Sequence, residues 1–486
     1  MAKQGNRYKV IVDLILRMID KGTLRINDRL PSLRQISRQE HVSIATALQA
    51  YRWLEDEGIA SPRASSGYYV VGITPRCEEH SCASLSGSGD SALRGDADRT
   101  TVQPIRPSGE SLAFDPAAPS AGLLPRARLS RIIGSLIRRH PFLVTECYPG
   151  LGYSELRRQI ARRSPEYGCS LSAQDIVITN GGMESVSLAL RAVTSAGDAV
   201  AVESPCSFLT LHTLRQLALE PVEIPVGHDG ICLDVLRDAL DGRAVKAALF
   251  MTNCSIPTGY VMPEERKRAL VAILEESDIP LIENDALGDL AHGERPRTAS
   301  AFARHEGVLL CSSFTKTLGA GLRLGWIAPG RYINRIRDMK VASNYATTAL
   351  VQHAAAEYLQ GSAYDRHCRS LRRALKKQTR QLCDAVKRYF PDACRASEPA
   401  GGYSLWVELP RNVDTDEFRS LDGLSRVRAL PGVLFTASSA GFRNCVQLHC
   451  REPWTPVSDS EMRHLGGRIR RLRASPRDRL ACLSVP

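Results

Sequence analysis

The sequence predicts a multidomain chain: a small helical domain closed by a β-hairpin, then a mostly parallel α/β domain that carries a smaller α+β subdomain. Three observations predict it. The chain has 486 residues, whereas a single core stops growing at about 250–300 residues. Its composition passes from helical periodicity, through a polar stretch, to apolar β-like runs alternating with amphipathic helices. Its final part reads as a long helical run followed by two strand-like segments.

Bulk composition narrows the function classes. A chain that is 43% hydrophobic and 24% charged has the apolar content of a globular protein. The net charge of +12, from 64 basic and 52 acidic residues, is too mild over this length to specify nucleic acid. The start MAKQGNRYKV lacks an apolar signal region, and nothing approaches the roughly 18 unbroken apolar residues of a membrane span. A cytoplasmic protein with no membrane partner is expected. The 14 cysteines are scattered, and neither Cys77 with Cys82 nor Cys445 with Cys450 has the second tight pair and histidines of a zinc site. Reduced thiols and no metal are expected.

Residues 1–72 read as the first domain. From Tyr8 to Lys21, apolar residues at Val10, Ile11, Leu14, Ile15, Met18 and Ile19 form one stripe of a helix closed by Gly22. Asp28-Arg-Leu-Pro-Ser-Leu-Arg34 opens a second helix running to about Glu40, with Pro31 suited to its first turn. After a turn at His41-Val42, Ser43 is placed to cap a third helix through Ala47, Leu48, Tyr51 and Leu54 to Glu57. Gly58 to Val71 then supplies a two-stranded hairpin.

Helix, turn and capped helix is the helix-turn-helix pattern, whose second helix enters the DNA major groove by its N-terminal end. Leu30-Pro-Ser-Leu-Arg34, Val42-Ser43, Ala50-Tyr-Arg-Trp-Leu-Glu-Asp-Glu-Gly58 and Ser66-Gly67-Tyr68 closely resemble the winged helix of GntR-type regulators. The resemblance implies a double-stranded DNA operator as partner. Arg34 and Arg38 would meet phosphates, which set register without reading bases. Ser43, Thr46 and Gln49 lie at the leading end of the recognition helix, and glutamine pairs bidentately with adenine. Arg63 and Gly67 would bring the wing to the minor groove or the backbone. A helical scaffold that binds no DNA is the competing reading of the same helices.

Residues 73–111 are rich in Ser, Gly, Asp and Arg, with too little apolar content to pack, and read as a flexible linker. Residues 112–486 form the rest. Asp175-Ile-Val-Ile-Thr179, Ala199-Val-Ala-Val-Glu203, Ala247-Ala-Leu-Phe-Met251, Pro280-Leu-Ile-Glu-Asn-Asp285 and Gly307-Val-Leu-Leu-Cys-Ser-Ser313 each precede a helix-like segment. That rhythm signals a parallel sheet, whose ligands bind at the carboxyl ends of strands. A helical run from about Asn334 leads to strands near Gly401–Leu409 and Asn444–Cys450 in the smaller subdomain.

The strongest motif here is Ser312-Ser-Phe-Thr-Lys316, followed seven residues later by Arg323. This region resembles a fold-type I aminotransferase, and the two parts together resemble the MocR branch of GntR regulators, over nearly the whole chain outside the linker. The resemblance implies pyridoxal 5′-phosphate (PLP) as cofactor. A lysine amine forms a Schiff base with the PLP aldehyde, while a hydroxyl and an arginine hold the phosphate. Lys316 is the Schiff-base candidate, with Ser313 and Arg323 on the phosphate. Asp285, at a strand end, would pair with the pyridine nitrogen. In Thr179-Asn-Gly-Gly-Met183, a turn between strand and helix, the N–H groups of Gly182 and Met183 would cradle the phosphate. Tyr148 matches the position that reaches the partner subunit's phosphate, which implies a homodimer.

Four positions depart from the family. Ile256 and Leu287 replace an asparagine and a tyrosine that donate to the ring phenolate. Ser207 stands where an aromatic ring stacks on the pyridine, with Phe208 next to it as the alternative. Gln447 replaces the arginine that clamps a substrate carboxylate, and Arg443 is the nearest cation upstream. The holding residues remain and the reacting ones are eroded, which favours a transcriptional regulator sensing PLP or an amine or amino-acid ligand. An active aminotransferase with an auxiliary DNA-binding domain is the alternative, and a regulator using the fold only to dimerise is a third reading.

Overall fold

The computed structural model describes residues 7–20, 24, 26–63 except 41, 67–71, 119–227, 230–242, 245–418, 426–438, 441–450 and 452–473. It forms two compact units, divided at residue 93. The expected linker, 73–111, lies outside the described residues, as do Lys21, Gly22 and His41.

In the first unit the apolar stripe produces the helix Arg7–Asp20, which buries Ile11, Val12, Ile15 and Ile19 against Tyr51 and Leu54 of the helix Ile44–Asp56. Ser43 caps that last helix as expected: its Oγ accepts from the Thr46 N–H at 3.1 Å. The middle helix is shorter than its sequence suggested. It spans Leu33–Gln39, so Pro31 precedes it, and the Ser32 carbonyl takes the first helical bond from the Ile36 N–H at 3.0 Å. The Pro31 carbonyl has another task, accepting from the Tyr51 hydroxyl at 2.7 Å and tying the turn to the recognition helix. Ala60–Arg63 and Gly67–Val70 pair antiparallel as the wing, from Ala60 opposite Val70 to Arg63 opposite Gly67.

The second unit is built on an eight-stranded sheet in the spatial order Val177–Thr179, Gly325–Ala328, Val308–Ser313, Leu281–Asn284, Val245–Phe250, Ala199–Ser204, Glu220–Gly227, Gly230–Ile231. The five strands from Val308–Ser313 to Glu220–Gly227 run parallel. Gly325–Ala328 is antiparallel to both of its neighbours, and the short Gly230–Ile231 is antiparallel at the far edge. Apolar runs such as Val308–Ser313 are buried because helices cover both faces, the reason parallel strands read as continuous hydrophobic stretches.

The smaller subdomain has a four-stranded antiparallel sheet in the order Arg395–Ala396, Ser404–Glu408, Cys445–Cys450, Val427–Pro431. Side chains alternate across its faces. Leu405, Val407, Val446 and Leu448 pack on the helices Ala363–Tyr389 and Pro456–Arg473 through Leu382, Val386, Met462 and Leu465. The opposite face carries Trp406, whose ring meets Phe435 in a cluster that includes Phe208 and Ile256.

Candidate functional site

Four elements converge at one end of the parallel strands. The strand Val177–Thr179 runs through Asn180 and Gly181 into the helix Gly182–Val193. Gly181 has φ +90°, and a Cβ there would lie 2.9 Å from Arg323 Nη2. A Cβ on Gly182 would lie 3.0 Å from the Ser313 Cβ. Two successive glycines therefore let a guanidinium and a hydroxyl-bearing side chain close on the first turn of a helix, where N–H groups point outward without intrahelical partners. Met183 belongs to that turn. Arg323 Nη2 donates to the Asn180 carbonyl at 3.0 Å, and Ser313, at the end of Val308–Ser313, lies 2.8 Å from Thr315 Oγ1. Lys316 follows three residues later, half-buried, its Nζ 5.9 Å from the ring centre of Tyr403.

Asp285 stands at the end of the adjacent parallel strand, in register with this group. Asn284 is opposite Cys311, and the Asp285 N–H donates to the Cys311 carbonyl at 2.8 Å. The Asp285 carboxylate is buried, with 1% of its side chain exposed, accepts from Asn253 Nδ2 at 2.8 Å and forms an ion pair with Arg295. Burial pushes its pKa above the usual carboxylate value, while Arg295 and Asn253 pull against that shift.

The altered positions cluster on the other side. Ile256 and Leu287 pack with Met251, Cys254 and Tyr403 into an apolar wall that offers no donor from either altered side chain. Phe208 sets its ring edge-on to Phe435, centres 6.1 Å apart, and Ser207 precedes its helix as the N-cap residue. Gln447 is buried on the sheet face shared with Trp406 and His449. Arg443 is no substitute cation: it is half-exposed and pairs with Asp414, Nε to Oδ2 3.1 Å. Tyr148 stacks on Tyr153 at 5.2 Å and its hydroxyl lies 2.9 Å from His353 Nε2.

In the first unit Gln49 and Arg34 are exposed beside the cap. The Ser43 and Thr46 hydroxyls lie 2.8 Å apart, so both serve the helix start. Arg63 lies over the Tyr69 ring at 4.3 Å and donates to Asn27 Oδ1 at 2.7 Å. Gly67, at φ +104°, makes room for Arg29, whose Nε would stand 3.2 Å from a Cβ at that position. Arg29 went unnoticed in the sequence because it joins the wing through a bridge to Tyr69. The Arg38 side chain lies outside the described residues.

Residues 7–70 match the family model of bacterial regulatory proteins, gntR family, and residues 143–450 match that of aminotransferase class I and II. The chain is 34% identical over 477 residues to the uncharacterized HTH-type transcriptional regulator YjiR of Escherichia coli (strain K12), covering 96% of this chain and 99% of that protein. The chain belongs to the gntR family of regulators with an aminotransferase-like domain. A second relative, the uncharacterized HTH-type transcriptional regulator YdcR of the same strain, is 34% identical over 435 residues, covering 88% of this chain and 92% of that one. Among solved structures, the multiple substrate aminotransferase from Thermococcus profundus superposes with a TM-score of 0.68 at 22% identity, over 73% of this chain and 90% of that one. The likeness to that enzyme shows the fold. Within this gntR-family regulator no helix among the described residues is long and apolar enough to cross a membrane.

Asn253, Lys267, Arg295 and Tyr403 were not singled out by sequence reading. Lys267 is fully buried and its Nζ donates to Asn253 Oδ1 at 2.6 Å, so it supports Asp285 at one remove. Its apolar helix neighbours gave a signal, since a lysine on the inner face of an amphipathic helix is rarely unpaired.

Proposed function

We propose that this regulator holds PLP in its second unit and that the cofactor, or an amine or amino acid meeting it, alters how a homodimer engages an operator. The observation that carries this reading is the convergence of Gly181, Gly182, Ser313 and Arg323 around one helix N-terminus, with Lys316 and Asp285 on neighbouring strand ends. A phosphate suits that cradle: it meets helix N–H groups, a hydroxyl-bearing side chain and a guanidinium at once. When bound, PLP supplies an aldehyde for a lysine amine and a pyridine ring that draws electrons from an attached amine.

The chain's own residues define the rest. Lys316 presents the amine, Asp285 faces the ring nitrogen, and Met183 adds an N–H to the phosphate. Phe208 belongs to the wall on the ring side. Tyr148 reaches the partner's cofactor, and the exposed Phe142, Val144 and Tyr345 fit a dimer surface. On DNA, Arg29, Arg34, Arg38, Arg63 and the Gly67 turn meet backbone, while Ser43 and Thr46 set the helix start from which Gln49 reads a base. Such a protein works in the cytoplasm, with residues 73–111 as the linker between units 1–72 and 112–486.

The reading is tested on the cofactor and on the operator. Borohydride reduction of protein incubated with PLP, followed by peptide mapping, is expected to label Lys316; a label elsewhere overturns the cofactor reading. Operator binding with and without PLP is expected to differ in affinity or footprint. Arg34→Ala is expected to weaken all sequences alike and to flatten the salt dependence, whereas Gln49→Ala changes the preference among bases. Rapid conversion of an α-amino acid to its keto acid would instead favour an active aminotransferase with an auxiliary DNA-binding domain.

A further inference from the structure

The long helix Ala363–Tyr389 of the second unit buries one face and gives the other to charges of one sign. Leu371, Leu375, Leu382 and Val386 lie inside. Arg366, Arg369, Arg373, Lys376, Lys377 and Arg380 are all exposed. At 3.6 residues per turn these cations fall within an arc of about 100°, opposite the buried face. From Arg366 to Arg380 the stripe runs about 21 Å at 1.5 Å per residue. No acid interrupts it: the acids of this helix are Asp365, which pairs with Arg163, and Asp384, which lies past Arg380.

Same-sign charges three and four residues apart repel and weaken a helix. Elsewhere on this unit exposed arginines have acids beside them. Arg139 meets Glu357 at 2.9 Å, Arg237 meets Asp234 at 3.3 Å and Arg331 meets Asp278 at 3.2 Å. On the stripe, Arg366 donates to the Ser362 hydroxyl, whereas Arg369, Arg373, Lys376, Lys377 and Arg380 have no ion pair, hydrogen bond or ring contact among the described residues. A net charge of +12 is mild over 486 residues, but this face concentrates it.

We propose that this face docks on the phosphate backbone of duplex DNA beside the operator, so that the second unit holds DNA as well as the first. Each strand of a duplex presents a phosphate every 3.4 Å, so about 21 Å of helix lies along roughly six base pairs. Guanidinium and ammonium groups bind phosphate oxygens of any sequence, which adds affinity and sets orientation without reading bases. DNA is the polyanion that this chain meets, because residues 7–70 match the gntR family model and the same chain carries the stripe. A duplex held by the winged helix is thereby presented to the stripe at an effective concentration set by the intervening chain. The proposal rests on DNA binding by the first unit and not on PLP.

The test uses the full-length protein and the operator recovered from the genomic fragments it retains. One duplex is cut to the operator, and a second extends it on each side by about 20 base pairs, well beyond the roughly six that the stripe spans. The parent is expected to bind the longer duplex about tenfold more tightly at low salt. Arg373→Gln, Lys377→Gln and Arg380→Gln together are expected to remove that advantage. They should also make the fall of log affinity with log salt shallower by about 2.7 on the longer duplex, or about 0.9 for each lost phosphate contact. Parental affinity for the short duplex then shows that the variant is folded and its winged helix intact. Arg373→Lys with Arg380→Lys keeps the charges and should behave as the parent. If the triple variant binds neither duplex, hydroxyl-radical footprinting of the parent decides: backbone protected beyond the operator supports the proposal, and protection confined to the operator overturns it. Equal affinity of the parent for both duplexes, or a parental salt slope in the variant, overturns it and leaves DNA binding by the first unit standing. A variant that keeps that slope but no longer binds vesicles of anionic phospholipid assigns the stripe to a lipid surface instead. Retention of no genomic fragment overturns the operator reading and this proposal together.

Discussion

The two ends of the candidate cofactor site differ in what the sequence has kept. At the phosphate end, Gly181, Gly182, Ser313 and Arg323 form a close-fitted cradle in which a single added Cβ would meet Arg323 or Ser313. At the ring end, Ile256 and Leu287 form an apolar wall, Phe208 is packed on Phe435, and the buried Gln447 is uncharged. The contrast teaches that holding and reacting are separable demands. A phosphate is gripped by charge and N–H groups that need no particular ring chemistry, whereas turnover needs donors and a clamp that act on the reacting atoms.

The sharpest way to break this contrast is at Lys316. Lys316→Ala is expected to abolish the borohydride-stable PLP label altogether while leaving the phosphate cradle intact, so that weak, reversible PLP binding persists in a fluorescence titration. Complete loss of reversible binding as well would mean that the cradle contributes little. Next in size is Arg323→Ala. Losing a hydrogen bond to a charged group costs about 1.5–3 kcal/mol, or about one to two decades in PLP affinity by the same titration. A change under about threefold would remove the phosphate end from the argument.

How much of this was legible in the sequence differs by element for physical reasons. The winged helix was readable because a 3.6-residue stripe and a capping serine are local signals, and Ser43 does cap Ile44–Asp56. The start of Leu33–Gln39 was misplaced because Pro31 fits a first helical turn equally well as the residue before one. Lys316, Arg323 and Asp285 could be singled out as candidates because Asp285 directly follows Leu281–Asn284, Lys316 follows Val308–Ser313 by three residues and Arg323 follows Lys316 by seven. The pairing of Arg295 with Asp285 had no such mark, since it depends on a loop folding back over ten residues past Gly288. The strands Gly325–Ala328 and Val427–Pro431 escaped notice for a related reason: one is bracketed by Gly321, Gly325 and Pro329 and the other ends in proline and runs into glycine, so both read as turn sequence.

The ring end can be sharpened by restoring what it lacks. Gln447→Arg is expected to strengthen binding of α-amino acids by about tenfold or more, as the new guanidinium pairs with a carboxylate. The readout is the change in the cofactor's visible absorbance on titration with amino acids. Because Arg443 is held by Asp414 away from this position, Asp414→Ala should have little effect on the same titration. If Asp414→Ala alone reproduced the gain, the displaced arginine would be the true clamp.

A further contrast concerns two buried carboxyls with different partners. Asp285 has a guanidinium beside it, whereas Glu203, at the end of Ala199–Ser204, accepts from the Tyr260 hydroxyl at 2.9 Å. Burial pushes Glu203 up from 4.5 to about 8. The folded protein therefore binds this proton more tightly than the unfolded chain. Its stabilising contribution is fully present below about pH 4.5 and is lost progressively as the pH rises towards 8. Glu203→Gln keeps the shape and removes the titration. The stability difference between variant and parent is expected to move in favour of the variant by about 1.4 kcal/mol per pH unit across that window, as read by chemical denaturation. Asp285→Asn should lower stability across this window, because it removes one of the two carboxylates that pair with Arg295 and leaves that buried guanidinium to Asp289 alone. A flat difference for Glu203→Gln would mean that the carboxyl is ionised in the fold, and the contrast between the two buried acids would fall.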